Sequence, residues 1–484
     1  MAEIDIELIK RRSISGVVAL TARTFLLQII AFSATFLLTL FLTPDIFGVF
    51  YVVSAIISFL GYFSDIGLAA ALVQKHDAVT DEDLGTTFVI QQGLVLTLVI
   101  LSLLLSGQIA AFYKLNDAGV WLFRSLAVSF FLSSLKTIPS VLLERELAFD
   151  RLVLPQIVET LGFYVVAVVL AWKGLGITSF TWAVFARGVL GLLAMYVIKP
   201  WKPVFLISKE SAKKLMSFGL PFQLNSFLAL LKDDLLTVFL GKVLPFSQVG
   251  YIGWAKKWAE VPLRLIMDSV IRVTFPAYSR LQHDVKMLIK AIDKTLFGLS
   301  ASILPISMGL LFFVKPMIDL IPKYGKWEPA LFSFYLFVFS SLFSAWTTPL
   351  INALNAAGKI KTTLKFMVGW TVATWVVTVT FLHFFGFNGV SMSLLFISGS
   401  IYIVVQVAKR IAAFSFMKNV QGPTAAAVVQ AVSYWALLRV IPHSLPYLFI
   451  AGFVGIILYG VSLYMIDRSN IMEFVGMVRR NTKS

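Results

Sequence analysis

Charged and polar side chains interrupt two otherwise apolar segments between residues 225 and 272. They are Asn225, Lys232, Asp233 and Asp234 in the first segment and Lys256, Lys257, Glu260, Arg264, Asp268 and Arg272 in the second. From Lys256 to Arg272 five of these recur every four residues, so on an α-helix they form one slowly winding stripe in which opposite charges one turn apart can pair. A charge that faces lipid is costly, so the stripe must face protein or a water-filled cavity. We interpret it as the lining of a transport path.

Further charged residues lie inside apolar runs elsewhere in the chain. They are Arg23, Asp65, Arg124, Lys136, Glu159 and Arg187. The basic residues placed deepest would attract phosphate or carboxylate groups into a hydrated cavity; these are Arg187, Lys232, Lys256, Lys257 and Arg264. The alternative for each is structural, as a side chain that extends to the membrane surface or as half of an ion pair. Arg124, Lys136 and Arg272 lie nearer the segment ends and fit this alternative better.

The acidic residues in these runs have two interpretations. They are Asp65, Glu159, Asp233, Asp234, Glu260 and Asp268. Carboxylates inside a membrane can bind and release a proton or a sodium ion, and could therefore couple transport to an ion gradient. They could equally be counter-ions of neighbouring Lys and Arg side chains. The sequence leaves both interpretations open.

The composition indicates a polytopic membrane protein. Of the 484 residues, 58% are hydrophobic and only 14% are charged, whereas a soluble protein carries about 25% charged residues. The net charge of +16 lies mostly at the ends of apolar segments, which is the orientation signal of membrane proteins and not a nucleic-acid footprint. No cysteine is present, the four histidines have no ligand spacing, and no nucleotide-binding motif occurs. We therefore expect no cofactor, no metal site and no enzymatic activity.

Hydropathy predicts about fourteen transmembrane helices, each near the ~20 residues that cross the hydrocarbon core. The predicted segments are 16–42, 47–73, 84–112, 119–143, 149–172, 177–198, 215–240, 248–275, 291–314, 330–355, 362–384, 388–408, 422–439 and 446–466. With both termini in the cytoplasm, the inner joints and the two termini together hold more than half of the 41 Lys and Arg residues, as the positive-inside rule requires. No cleavable signal sequence is expected, because the basic residues 10–12 precede an apolar run that is too long.

The joints are too short for a folded domain, which needs about 50 residues. The expected organisation is an N-terminal lobe (1–198), a cytoplasmic linker (199–214), a C-terminal lobe (215–412) and a final helix pair with a cytoplasmic tail (413–484). A weak repeat supports two lobes: at an offset of about 202 residues, TPDIFGVFYV (43–52) aligns with PFSQVGYIGW (245–254), and Gly48 falls on Gly250. An even number of helices separates the copies, so the repeat is parallel.

Six stretches stand out along the first two-thirds of the chain: SDIGLAAALVQK (64–75), LLERELAFDRL (142–152), MSFGLPFQLNS (216–226), VGYIGWAKKWAEVP (249–262), FPAYSRLQHD (275–284) and YGKWEPA (324–330). They resemble the polysaccharide-transport flippases, the O-antigen and exopolysaccharide exporters of the MOP superfamily, and among them the colanic-acid-exporter type. They occur in the family's order over residues 15–330. Beyond that region only the number of helices and the hydropathy agree.

The resemblance implies an all-α protein of the bacterial inner membrane, with two six-helix lobes and two C-terminal helices around a central cationic cavity. It implies that the protein flips an undecaprenyl-pyrophosphate-linked oligosaccharide by alternating access, with membrane lipid around it. Polysaccharide polymerase machinery is a further candidate partner, and H⁺ or Na⁺ are candidate coupling ions. Basic residues would hold the pyrophosphate, whereas Gln28 and Asn225 would meet sugars. The basic set is Arg23, Arg187, Lys232, Lys256, Lys257 and Arg264.

Three other classes of function are weighed against this interpretation. A cation-coupled multidrug or metabolite antiporter of the same superfamily would favour a neutral or acidic cavity, whereas the intramembrane charge here is net basic. A membrane-embedded lipid-sugar polymerase, ligase or glycosyltransferase would carry a large outer loop, and the outer joints here are short. A scaffold or channel is the third alternative.

Overall fold

The structure is a computed structural model that describes residues 26–64, 66–75, 77–442 and 444–473. The regular structure of these residues is helical, which confirms the all-α prediction. Ten helical stretches among them are long and apolar enough to cross a membrane. Helix is present in all fourteen predicted segments, but the other four are shorter or more polar. A count of fourteen membrane crossings therefore stays a prediction.

The chain divides into two compact units, Met1–Gly250 and Tyr251–Ser484. The helices of the first unit are α1 (Leu26–Phe41), α2 (Pro44–Tyr62), α3 (Leu68–Gln74), α4 (Asp81–Leu104), α5 (Ser106–Tyr113), α6 (Asp117–Ser134), α7 (Thr137–Arg145), α8 (Phe149–Trp172), α9 (Thr178–Ile198) and α10 (Lys209–Val243). Helix α11 (Phe246–Ala259) begins in this unit and ends in the second. The expected lobe boundary at the 199–214 linker stays a prediction.

The second unit is also helical. Its elements are α12 (Val261–Leu281), α13 (Val285–Leu320), a 3₁₀ helix (Gly325–Ala330), α14 (Leu331–Ala356), α15 (Ile360–Phe385), α16 (Asn388–Ser398), α17 (Ile401–Lys409), α18 (Phe416–Val440) and α19 (Leu445–Ile466). Helix α14 packs against α12, α13 and α16, and α13 packs against α18. Two apolar clusters fill this unit, one around Leu296 and Leu350 and one around Ile303 and Ala345.

Polar residues at the joints set where several helices begin. The Thr80 hydroxyl accepts a hydrogen bond from the Asp83 backbone N–H, and the Asp83 carboxylate accepts one from the Thr80 N–H, so the two form a capping box at α4. Asn116 and Asp284 cap α6 and α13 in the simpler way, through side-chain oxygens that accept from backbone N–H groups. These caps satisfy amide groups that would otherwise lie unpaired at the membrane boundary.

Some predicted single helices are broken in the structure. The segment 248–275 contains two helices, α11 and α12, which meet at Glu260. Pro262 lies in the first turn of α12. Because proline has no N–H, it cannot donate the helical hydrogen bond to the carbonyl group four residues earlier, in the preceding turn. The charged stripe therefore runs over two helices and not over one. Proline acts similarly near the break between α6 and α7, where Lys136 precedes α7 and Pro139 lies in its first turn.

Helices α2 and α11 approach each other through a reciprocal pair of glycines, which we call the glycine clasp (Gly48 and Gly250). A methyl group added at Gly48 would lie 1.8 Å from the Phe246 carbonyl oxygen, and one added at Gly250 would lie 1.9 Å from the Pro44 carbonyl oxygen. Only glycine permits so close a backbone contact. The repeat aligns Pro44 with Phe246 as it aligns the two glycines, so the contact has the reciprocity of a local two-fold axis.

Candidate functional site

A pocket of about 650 Å³, with charged and polar groups in a mostly apolar lining, lies in the first unit near the end that carries the 199–208 linker. Its walls come from α3, the α6–α7 break and helices α7, α8, α9 and α10. The polar lining includes Lys136, Glu144, Gln156 and Glu159, and the apolar lining includes Phe218. A volume of this size lies in the range of ligand-binding pockets. Charged groups in an otherwise apolar helical bundle are costly, so they mark this pocket as the candidate site.

The centre of the pocket is an ion pair between Lys136 and Glu159. Lys136 lies at the α6–α7 break and Glu159 lies almost three turns into α8, and about a tenth of each side chain is exposed. Helix α9 leaves space for the carboxylate, because a methyl group at Gly191 would lie 2.3 to 2.5 Å from Glu159 side-chain atoms. The pair is therefore fixed by three elements, and each charge offsets the desolvation of the other.

Buried amide side chains support the α7 wall of the pocket. The Gln91 amide donates a hydrogen bond of 3.1 Å to the hydroxyl of Thr137, and the Ser134 hydroxyl donates one of 3.0 Å to Gln92. Gln91 Oε1 and Gln92 Nε2 are buried and have no hydrogen-bond partner among the described residues. Buried polar atoms of this kind commonly bind ordered water. The wall is thus polar through its depth and not only at its surface.

The α3 wall is held in place by Arg145, the last residue of α7. Its guanidinium donates hydrogen bonds to the backbone carbonyl oxygens of Leu72, Lys75 and Asp77 at 2.6 to 3.0 Å. These bonds satisfy carbonyl groups at the end of α3 and in the following joint, which no further helical turn could satisfy. Below the wall, Leu72 packs in an apolar cluster with Phe88 and Ile138. Polar and apolar contacts therefore both fix the pocket wall.

The predicted cationic site residues are only partly brought together. In the first unit Lys232 lies 4.0 Å from Asp233, Gln28 is half-buried on α1, and Arg187 is exposed on α9. In the second unit Arg264 donates to Glu260 at 2.9 Å, as the four-residue spacing predicts. Lys256 and Lys257 are half-buried in the last turn of α11, and Asp234 is half-buried on α10. Whether these residues line one cavity stays a prediction.

Other predicted residues lie outside the described part of the structure. They are Arg23 and Asp65, and the side chains of Asn225, Asp268 and Arg272. Among the residues that are described, no three His, Asp or Glu side chains are grouped so that they could hold a metal ion. Glu159, predicted as a coupling group or a counter-ion, pairs with Lys136. The choice between its two roles stays open.

The pocket as a unit was not predictable from the sequence. Lys136 pairs with Glu159, as the structural alternative allows, but its position at the α6–α7 break in a pocket wall was not predicted. Glu144 and Gln156 were not singled out, although Glu144 lies in the LLERELAFDRL stretch. The available signal was an acidic residue, Glu144, one position before the last residue of α7. Its meaning depended on the packing of four helices, which spacing along the chain does not reveal.

The apolar helices and the charged groups of the pocket among them are features of a multi-pass membrane protein of the transporter type. The sequence profile of the family described as "Polysaccharide biosynthesis protein" matches residues 37–332, which is more than half of the chain. The chain belongs to this family. The resemblance read from the sequence is thereby confirmed.

Individual relatives are distant. The succinoglycan biosynthesis transport protein ExoT of Rhizobium meliloti is 24% identical, over 57% of this chain and 55% of that protein. The lipopolysaccharide biosynthesis protein WzxC of Escherichia coli is 24% identical, over 66% of this chain and 65% of that protein. A membrane protein of the Klebsiella pneumoniae cps region is 24% identical over 70% of both chains. The match to ExoT thus spans little more than half of its length.

Solved structures show the fold over most of the chain. The lipid II flippase MurJ in an inward closed conformation superposes with a TM-score of 0.74, 14% identity and coverage of 92% of this chain and all of MurJ. An inward-facing MATE-family multidrug transporter of the MOP superfamily gives a TM-score of 0.56 and 16% identity, over 78% of this chain and 94% of that one. The fold is therefore of the MurJ and MATE type.

Proposed function

We propose that this protein is a flippase that moves an undecaprenyl-pyrophosphate-linked saccharide unit across the bacterial inner membrane for the export of a surface polysaccharide. The observation that carries the proposal is a pocket with charged and polar groups among the apolar helices of a member of the polysaccharide biosynthesis family. Such a pocket lowers the cost of moving a hydrophilic group through the hydrocarbon core. The lipid tail can remain in the bilayer while the sugar crosses.

Two further points support this function. ExoT is named as a transport protein in succinoglycan biosynthesis, and MurJ is named as a flippase of lipid II. Cationic residues of the α10–α12 region would neutralise the charge of the pyrophosphate as it crosses. Among them are Lys257 on α11 and Arg264 on α12. Inner-membrane location and the coupling ion, H⁺ or Na⁺, belong to the same proposal.

The test is translocation of a fluorescent undecaprenyl-pyrophosphate-linked oligosaccharide by purified protein in liposomes. We expect the wild-type protein to expose the label to an external quencher, and expect Arg264→Ala and Lys257→Ala each to slow this by about tenfold or more, as for the loss of a charge-assisted hydrogen bond. Lys214→Ala is the control, because this lysine is exposed and its ion pair is with Asp77, which is also exposed. Folding of each variant is checked by its thermal unfolding midpoint.

The outcomes separate the function from its charged path. Normal translocation by both variants would leave the flippase in place and make the charged residues structural. A wild-type protein that translocates no lipid-linked oligosaccharide but exchanges organic cations for protons or sodium would establish the antiporter instead. The same liposomes serve both assays.

A further inference from the structure

We infer that the pocket around Lys136 and Glu159 binds a neutral saccharide unit of the lipid-linked substrate, separately from the groups that bind its pyrophosphate. The inference rests on the proposed function and adds to it a sugar site within the first unit. It is carried by the charge balance of the lining, by the fixed position of its carboxylate and by its size.

The charge balance argues against an anionic ligand. The lining contains two carboxylates, Glu144 and Glu159, and one ammonium group, that of Lys136. Lys136 already pairs with Glu159, so no cationic charge of the lining is left over to neutralise a phosphate. Glu144 is half-buried and has no ion pair or side-chain hydrogen bond among the described residues. A carboxylate in this setting is an acceptor that needs donors.

Saccharide hydroxyl groups supply such donors without adding charge. Each hydroxyl can donate to a carboxylate and accept from an ammonium or amide group. Glu144 and the Glu159 oxygen that does not pair with Lys136 offer acceptors, while Gln156 adds an amide to the lining. Hydrogen bonds to charged groups are the stronger kind, so a neutral polyol gains from the pair without breaking it.

The site is also built before any ligand arrives. Gly191 leaves room for the Glu159 carboxylate, and Arg145 and Gln91 fix the α3 and α7 walls. Val141, Met195 and Phe218 add apolar surface that can cover the C–H faces of a sugar ring. A mostly apolar pocket of about 650 Å³ with a few fixed polar groups is the common form of a small-molecule site. Fixed side chains lose little entropy when a ligand binds.

The absence of cysteine from the chain makes a direct test possible. Ser140→Cys places a single thiol on the pocket wall, and Glu210→Cys places one on the exposed first turn of α10. Each variant is labelled with a water-soluble maleimide in nanodiscs. Labelling is repeated with undecaprenyl pyrophosphate that carries one glucose or one galactose, and with sugar-free undecaprenyl pyrophosphate. We expect only the glycosylated carriers to slow labelling at position 140, and no carrier to affect position 210.

A second pair of variants tests the acceptor itself. Glu144→Gln removes the charge that we assign to sugar recognition, and Glu146→Gln removes an exposed charge two residues away that pairs with Lys199. We expect Glu144→Gln to weaken binding of the glycosylated carriers by about tenfold and leave the sugar-free carrier unaffected. Glu146→Gln should change neither affinity.

The outcomes keep the two proposals apart. Equal protection of position 140 by glycosylated and sugar-free carriers, or no protection by either, would overturn the sugar site. If the same preparation still translocates the oligosaccharide, the flippase proposal stands without that site. Protection by glycosylated carriers in a protein that translocates nothing would keep the sugar site and reject the transport function.

Discussion

At the scale of single residues, Lys136 and Glu159 form a largely buried ion pair in the wall of the pocket. The two side chains come from different helices and are largely buried. In low-dielectric surroundings, removing one partner of an ion pair leaves the other charge buried and unpaired. This costs far more folding free energy than removing both charges. Single and double substitutions of this pair should therefore differ in stability, which is not expected for an exposed ion pair.

We predict that Lys136→Met destabilises the protein by about 3–5 kcal/mol, since it leaves the Glu159 carboxylate buried without its cation. The double variant Lys136→Met/Glu159→Met should recover most of this loss, because neither charge remains and both side chains keep a similar shape. The measurement is the thermal unfolding midpoint of each purified protein in the same detergent.

Lys214→Met is the matched control for this cycle. Its ion pair with Asp77 has both side chains more than 60% exposed, and such pairs contribute little. A double variant as unstable as the single Lys136→Met would contradict the prediction. That result would mean that packing of the lysine stem, and not its charge, stabilises the α6–α7 break.

At the scale of helices, the glycine clasp sets how closely α2 and α11 can approach. A methyl group at either glycine would overlap a backbone carbonyl group, which cannot rotate away as a side chain would. Overpacking of this kind costs about 1–3 kcal/mol where the backbone must shift. We predict that Gly48→Ala and Gly250→Ala each lower the thermal unfolding midpoint.

The reciprocity of the clasp adds a sharper expectation. One outward shift of α11 relieves both overlaps, so the double variant Gly48→Ala/Gly250→Ala should cost clearly less than the two single changes added together. Gly93→Ala in α4 is the control, since nothing lies within 4 Å of its added methyl group, and it should be neutral or slightly stabilising. Strict additivity of the two clasp variants would show that the contacts are independent.

The elements themselves were largely predictable, whereas their breaks and pairings were not. The apolar run 149–172 correctly predicts the residue at which α8 ends. This is possible because a bilayer dictates both the length and the apolar character of a spanning helix. The alignment of Gly48 with Gly250 predicted equivalent positions but not that they touch. Likewise Lys136 and Glu159 were both recognised as intramembrane charges, but their contact depends on how α8 packs beside the α6–α7 break. Hydropathy measures how apolar a segment is and carries no information on which helices adjoin.

At the scale of the whole molecule, the open question is how many helices cross the membrane. Helix α10 has 35 residues, about 52 Å at 1.5 Å per residue, which is enough to span the bilayer. It is not among the ten helices that are long and apolar enough to cross, and it carries polar and charged residues along its length. Helices α11 and α12 present the same problem, since they carry the rest of the charged stripe.

The cysteine-free chain allows this to be settled with single thiols. Lys173→Cys and Lys202→Cys flank α9, which is apolar enough to span, so they mark the two sides of the membrane. We predict that Val243→Cys, at the end of α10, reacts with an impermeant maleimide from the same side as position 173. Gln282→Cys, after α12, should react from the side of position 202. This alternation requires α10 and the α11–α12 pair each to cross, with their charges facing protein or water. Reaction of positions 202, 243 and 282 all from one side would mean that neither crosses, and the charged residues would then lie at the membrane surface, where they could not line a path for pyrophosphate.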